Sequence, residues 1–266
     1  MYVVGIAQLA GELQNEVPLL AADLGMAPYD ARMLLAPGIP AIVLLSAEKD
    51  RAMSLVSKLR ERGHDALAFD TRGLVSNGQM VQPRQITISA EGLTSADRYA
   101  QHLNFADIFL LVRATHTTTT ETSSETTKKS FSLGRAVMTG GLVMRKKTTQ
   151  TDSAHSYDKI EVLYLYPSTA SSPWLLAETG TRYLGLGERL APTERANFLK
   201  VVDLIRSRAE QARFDDRLVG RKTPTHLLQT TLQTMGDKDR LTTSTNASAV
   251  DLLCHLTAMW HFKEAR

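Results

Sequence analysis

Cysteine is nearly missing from this chain: Cys254 stands alone among 266 residues, so no disulfide can close within it. A lone thiol agrees with a reducing compartment, and it is expected to be a buried filler. Aromatic residues make up 6% of the sequence, and no apolar run approaches the ~20 residues that cross a bilayer as a helix. The start lacks the basic stretch and following apolar stretch of a secretory leader, so the cytoplasm is the expected location. Charge of one sign is lacking too. The formal net charge is +3, and a mild excess of +4 over residues 73–209 falls short of the dense basic face of a nucleic-acid binder.

Catalytic signatures are equally scarce. No G-x-S-x-G elbow occurs, no phosphate-cradling glycine loop, and no cysteine pair that could hold a structural zinc. His255 and His261 are six apart rather than at the i, i+4 spacing that turns two imidazoles toward one metal. His116, His155, Asp152 and Asp158 could be drawn into a triad with some Ser or Thr, but any threonine-rich chain allows that. The sequence therefore nominates no catalytic, cofactor-binding or metal-binding residue.

What is present is architecture. Tyr2 to Ile6 reads as a strand, rich in β-branched and aromatic residues. Val17, Leu20, Ala21 and Leu24 then recur at i, i+3, i+4, i+7, the stripe of a helix with one buried face, and Gly25 is placed to end it. Pro28 suits a first helical position, with Ala31, Leu34 and Leu35 following on one side. Pro37, Gly38 and Pro40 break the pattern before the apolar run Ala41 to Leu45, which has the length of a buried strand. A further helix carries Ala52, Leu55, Val56 and Leu59 and stops at Gly63, and Ala66 to Phe69 supplies a last strand.

Leu24-Gly25-Met26 leading into Pro28-Tyr29-Asp30-Ala31-Arg32, with a later helix ending Arg60-Glu61-Arg62-Gly63, resembles the C-terminal domain of the bacterial ribosomal stalk protein. The resemblance covers about a quarter of the chain. It implies a small α/β unit that recruits partner proteins through a helical face, a shape that Clp-protease adaptors also use. Pro28, Tyr29 and Asp30 stand where that family has lysine and glutamate, so the fold and a docking habit carry over, and stalk activity does not.

Thr71 to Gly78 is polar with two glycines and marks a domain boundary. Beyond it, Gln85 to Ser89 alternates as a strand does, Ser95 to Leu103 suits one or two helical turns, and Ile108 to Val112 is a dense apolar strand. The threonine-rich stretch Thr115 to Thr127 fits either a flexible low-complexity loop or, as β-branched threonine favours extended structure, one arm of a long solvated hairpin, the reading preferred. Gly140-Gly141 between two apolar runs reads as a hairpin turn, and Ile160 to Tyr166 and Trp174 to Ala177 add strands. A helix with Phe198, Val201, Val202 and Ile205 on one face closes the region. Antiparallel strands followed by one helix, over residues 79–215, resemble a pleckstrin-homology-like domain in outline. Such a domain implies binding of phosphoinositides, peptides or proteins, and Lys128, Lys129, Arg145, Lys146 and Lys147 would form its anion-binding patch.

The last fifty residues read as a helical extension. Thr223-Pro224 would open a short helix carrying Leu228, Leu232 and Met235 and ended by Gly236, with a polar linker after it. From Ala247 a second helix places Leu252, Leu256, Met259 and Trp260 on one stripe that needs a cover, either the rest of the protein, which is favoured, or another molecule.

The fold expected is α+β: a small α/β unit (1–72), an antiparallel β-rich domain closed by a helix (79–215) and a helical extension (216–266). The function expected is that of a non-enzymatic cytoplasmic adaptor or regulator that binds another protein through Tyr29, Arg32, Arg51 and Lys58. Recognition of anionic lipid or phosphate is the alternative, and an enzyme of unknown class a second one.

Overall fold

Apolar runs without polar alternation call for strands covered on both faces, and the N-terminal segment forms such strands. In the computed structural model, which describes residues 1–97, 100–131, 145–169, 171–235 and 239–264, the chain runs β1 (Tyr2–Gln8), α1 (Leu13–Leu24), α2 (Pro28–Leu35), β2 (Ala41–Ser46), α3 (Lys49–Glu61) and β3 (Asp65–Asp70). The three strands form a sheet in the order β2-β1-β3, with β1 antiparallel to both neighbours. Successive side chains on a strand point to opposite faces. Val4 and Ile6 therefore enter one core with Leu20, Ala31, Leu35, Val56 and Leu59 from the three helices, while Val3 enters a second core. Ala52, Leu55, Val56 and Leu59 of α3 are all buried, as their spacing predicts. Gly25, left-handed at φ 68°, ends α1 and donates its backbone N–H to Ala21.

The second core contains the helix read from sequence as a tail. This helix, α5 (Ala247–Glu264), buries Ala249, Val250, Leu253, Cys254, Leu256 and Ala258. They pack with Val3, Ile42 and Phe69 of the N-terminal sheet and with Leu110, Val112, Val162, Tyr164 and Leu175. The latter belong to a larger sheet of β7 (Ile108–Phe131), β8 (Arg145–Pro167) and β9 (Trp174–Ala177) in that order, with β10 (Arg213–Leu218) running parallel to β7. Its other face carries Leu111, Leu163, Leu165, Trp174 and Leu176, which meet Phe198, Val201, Val202 and Ile205 of α4 (Glu194–Arg208). A helix apolar around most of its circumference, such as α5, belongs in an interior. Among the described residues no helix is long and apolar enough to cross a membrane.

Several elements differ from the sequence reading. Ser95 to Leu103 forms no helical turn among its described residues. β5 (Gly92–Ser95) ends there and β6 (His102–Asn104) begins, in a small antiparallel sheet with β4 (Ile86–Ile88). The reason is long-range: Leu103 pairs with Leu93 across the sheet, and both enter the core. Leu228, Leu232 and Met235 form no helix either. Gln229–Met235 is strand β11 and the expected linker supplies strand β12 (Asp239–Thr245). A four-residue leucine spacing fits one face of a strand as well as one face of a helix, and the β-branched threonines decide between them.

The architecture is thus α+β. The chain divides into two compact units along a line other than the sequence boundaries: Met1–His116, Ile160–Leu228 and Asn246–Arg266 form one, and Thr117–Lys159 with Gln229–Thr245 form the other. The second unit is a sheet in the order β11-β12-β7-β8, with β12 antiparallel to both β11 and β7. The expected turn at Gly140-Gly141 lies outside the described residues.

Candidate functional site

The surface the sequence singles out begins at α2. Ala27 and Pro28 open this helix, Pro28 filling a first-turn position where its missing N–H costs nothing. Two turns bury Ala31 and Leu35 against the sheet and turn the remaining residues outward. Tyr29 is 70% exposed and Met33 50% exposed, with Leu19 of α1 nearly as open at 48%. Beside them a cavity of about 500 Å³ is lined by Met26, Met33, Leu34, Pro37, Pro224 and His226, with Asp30 and Lys222 as its charged members. Burial holds the His226 imidazole below its ordinary pKa, which leaves it neutral at pH 7. Methionines lining an apolar groove next to an exposed tyrosine suit a surface that adapts to an apolar side chain of another molecule.

Tyr29 and Arg32 lie exposed on α2, and Arg51 and Lys58 lie exposed on α3. Lys58 is engaged, its Nζ lying 3.0 Å from Asp23 Oδ1. It belongs to a charge network that sequence reasoning missed. Arg62 donates to Glu16 at 2.7 Å and to Asp23 at 2.8 Å, joining the end of α3 to α1. Burial alone would raise the Asp23 carboxyl, but hydrogen bonds from Lys58 and Arg62 outweigh it and hold the pKa below its ordinary value. Glu16, buried at 3% exposure, also contacts His64 Nε2 at 2.7 Å. The backbone N–H of Ala10 donates to His64 Nδ1, so the ring proton sits on Nε2 and points at Glu16. The available signal was Glu16 itself, four residues before Leu20 and on the same inward stripe.

A second buried polar group crosses the central core. Tyr164 Oη donates to Asp251 Oδ1 at 2.7 Å, which uses its one proton, so His116 Nε2 at 2.9 Å is the donor to Tyr164. Asn77 N–H caps the other Asp251 oxygen at 2.8 Å. Burial lowers the His116 pKa to about 4 and raises those of Asp251 and Tyr164. His116 is thus partnered by Tyr164, while His155 and Asp158 lie exposed in the second unit. The relay ties β7, β8 and α5 together. Cys254 is fully buried beside it, and burial pushes its thiol well above the ordinary range.

Lys128 and Lys129 fall in β7, and Arg145, Lys146 and Lys147 open β8, its neighbour in the sheet. Their side chains lie outside the described residues. His255 stacks edge-on against Phe69, and His261 accepts from Arg213. Among the described residues no group of three His, Cys, Asp or Glu side chains is placed to hold a metal ion. The chain matches no family model, no curated protein and no solved structure.

Proposed function

We propose that this chain is a non-enzymatic cytoplasmic adaptor or regulator that docks another protein on the α2 surface. The observation that carries the reading is the cavity flanked by Met26, Met33 and Leu34, with Tyr29 standing exposed on the same helix. Large apolar side chains left in water beside a groove are characteristic of contact surfaces, and tyrosine contributes contact area at small cost in side-chain entropy. Three helices pack on one face of the β2-β1-β3 sheet, and the expected likeness to the ribosomal stalk domain, whose habit is recruitment through a helical face, motivates the choice of this surface. Arg32 on α2 and Arg51 on α3 are exposed and supply cationic contacts to the partner.

Affinity capture from native lysate, with the whole chain as bait, tests the proposal. Met33→Glu puts a charge at the groove without touching a buried contact, so it is expected to release a stoichiometric partner while thermal stability stays the same. Arg51→Glu is expected to weaken the same capture. Retention of every captured protein by the Met33→Glu bait would overturn the reading.

A further inference from the structure

The outer edge of β11 is built to pair. Among the described residues β12 is the one neighbour of β11, and their register runs without a shift from Gln229↔Thr245 to Met235↔Asp239. Edge strands are normally guarded by lysine, proline, a bulge or a covering element. β11, Gln-Thr-Thr-Leu-Gln-Thr-Met, has no charge, no proline and no bulge. At its centre Leu232 is 62% exposed opposite Thr242, a large apolar side chain between Thr231 and Gln233.

We propose that β11 pairs antiparallel with β11 of a second copy of this chain, about a two-fold axis through Leu232. Charge selects this occupant. β11 is the one strand of its unit without an ionisable residue, so self-pairing brings no like charges together, whereas β8 would set Arg145, Lys146 and Lys147 against a second strand. The sequence is also self-complementary about its centre. Thr230 falls opposite Thr234, Thr231 opposite Gln233, and Leu232 opposite itself. Threonine pairs hydrogen-bond or pack across strands, and opposed β-carbons stand about 5 Å apart, so each Leu232 covers the other. An isologous contact consumes the β11 edge of both copies and so closes after two.

The full chain is expected to sediment as a concentration-dependent dimer. Leu232→Lys places like charges face to face and is expected to give a monomer of unchanged thermal stability. A short bis-maleimide cross-linker should join Leu232→Cys chains and leave Gln229→Cys chains single, because the same register separates the two Gln229 positions by roughly 20 Å. A monomer at all concentrations, a dimer that survives Leu232→Lys, or equal cross-linking of both cysteine variants would overturn the proposal. So would a ladder of higher oligomers, which marks open head-to-tail pairing, or pairing of this edge with a strand of a different protein.

Discussion

At the scale of single residues, Glu16 is the most exacting position in the N-terminal layer. It is 3% exposed and its two oxygens serve three donors: Arg62 through Nε and Nη2, and His64 through Nε2. A buried carboxylate is tolerated where every lone pair has a partner, and removing it strands the groups that faced it. Glu16→Ala is therefore expected to cost about 3–5 kcal/mol. Glu16→Gln, which keeps one acceptor, should cost less. Urea unfolding of the two variants measures the difference. A loss below about 1 kcal/mol for Glu16→Ala would instead mark the network as one of the solvated surface pairs.

At the scale of elements, the approach of β1 to α5 admits no side chain. A β-carbon at Gly5 would lie 2.4 Å from Leu256 Cδ2 and 3.1 Å from the Ala41 carbonyl oxygen. Leu256 is fully buried, so its repacking displaces other core atoms. Gly5→Ala is expected to destabilise by about 1–3 kcal/mol, measured as a lower denaturation midpoint with unchanged denaturant slope. Helices with a single buried face were legible: the stripes of α3 and α4 fall on the expected residues, and that of α1 on Leu20, Ala21 and Leu24 with Val17 partly buried. The strands of the second unit were harder to read. Both faces of β11 and β12 carry threonine, serine and glutamine, so no hydrophobic period distinguishes them from loop, and their order comes from pairing with the distant β7. The α2 corner was marked by Pro28 and the outward Tyr29, but its groove was not, since residues 222–226 line the other wall from far along the chain. The Glu16 network escaped because a charged residue on a helical stripe reads as surface until its partners are in place.

At the scale of the molecule, buried imidazoles set the response to acid. His116 is held at about 4, and burial lowers His226, His255 and His261 as well. A histidine lowered in the folded state stays neutral while the unfolded chain takes up a proton, so stability falls as pH drops below about 6.5. The His116 share amounts to about 3 kcal/mol by pH 4. Asp23 and Asp215, both lowered, add a further loss beneath about 3.8. Asp251 is raised and opposes them, since its protonated form is favoured in the fold. Unfolding measured from pH 7 to 4 should show this decline, and His116→Gln should flatten it, because the amide can still donate to Tyr164. An unaltered slope in that variant would mean that His116 titrates normally.

The position of α5 has a consequence for synthesis. The helix that packs against both the N-terminal sheet and the β7-β8-β9 sheet follows every described strand in chain order, and it meets β1 at Gly5 and Leu256. A nascent chain emerging from the ribosome therefore carries Val3, Ile42 and Phe69 on a bare apolar surface until the residues from Ala247 onward have been released. Contacts so distant in sequence form slowly, and exposed apolar surface in the interim favours aggregation. Yield during expression should depend on chaperone supply more than the stability of the finished fold would suggest.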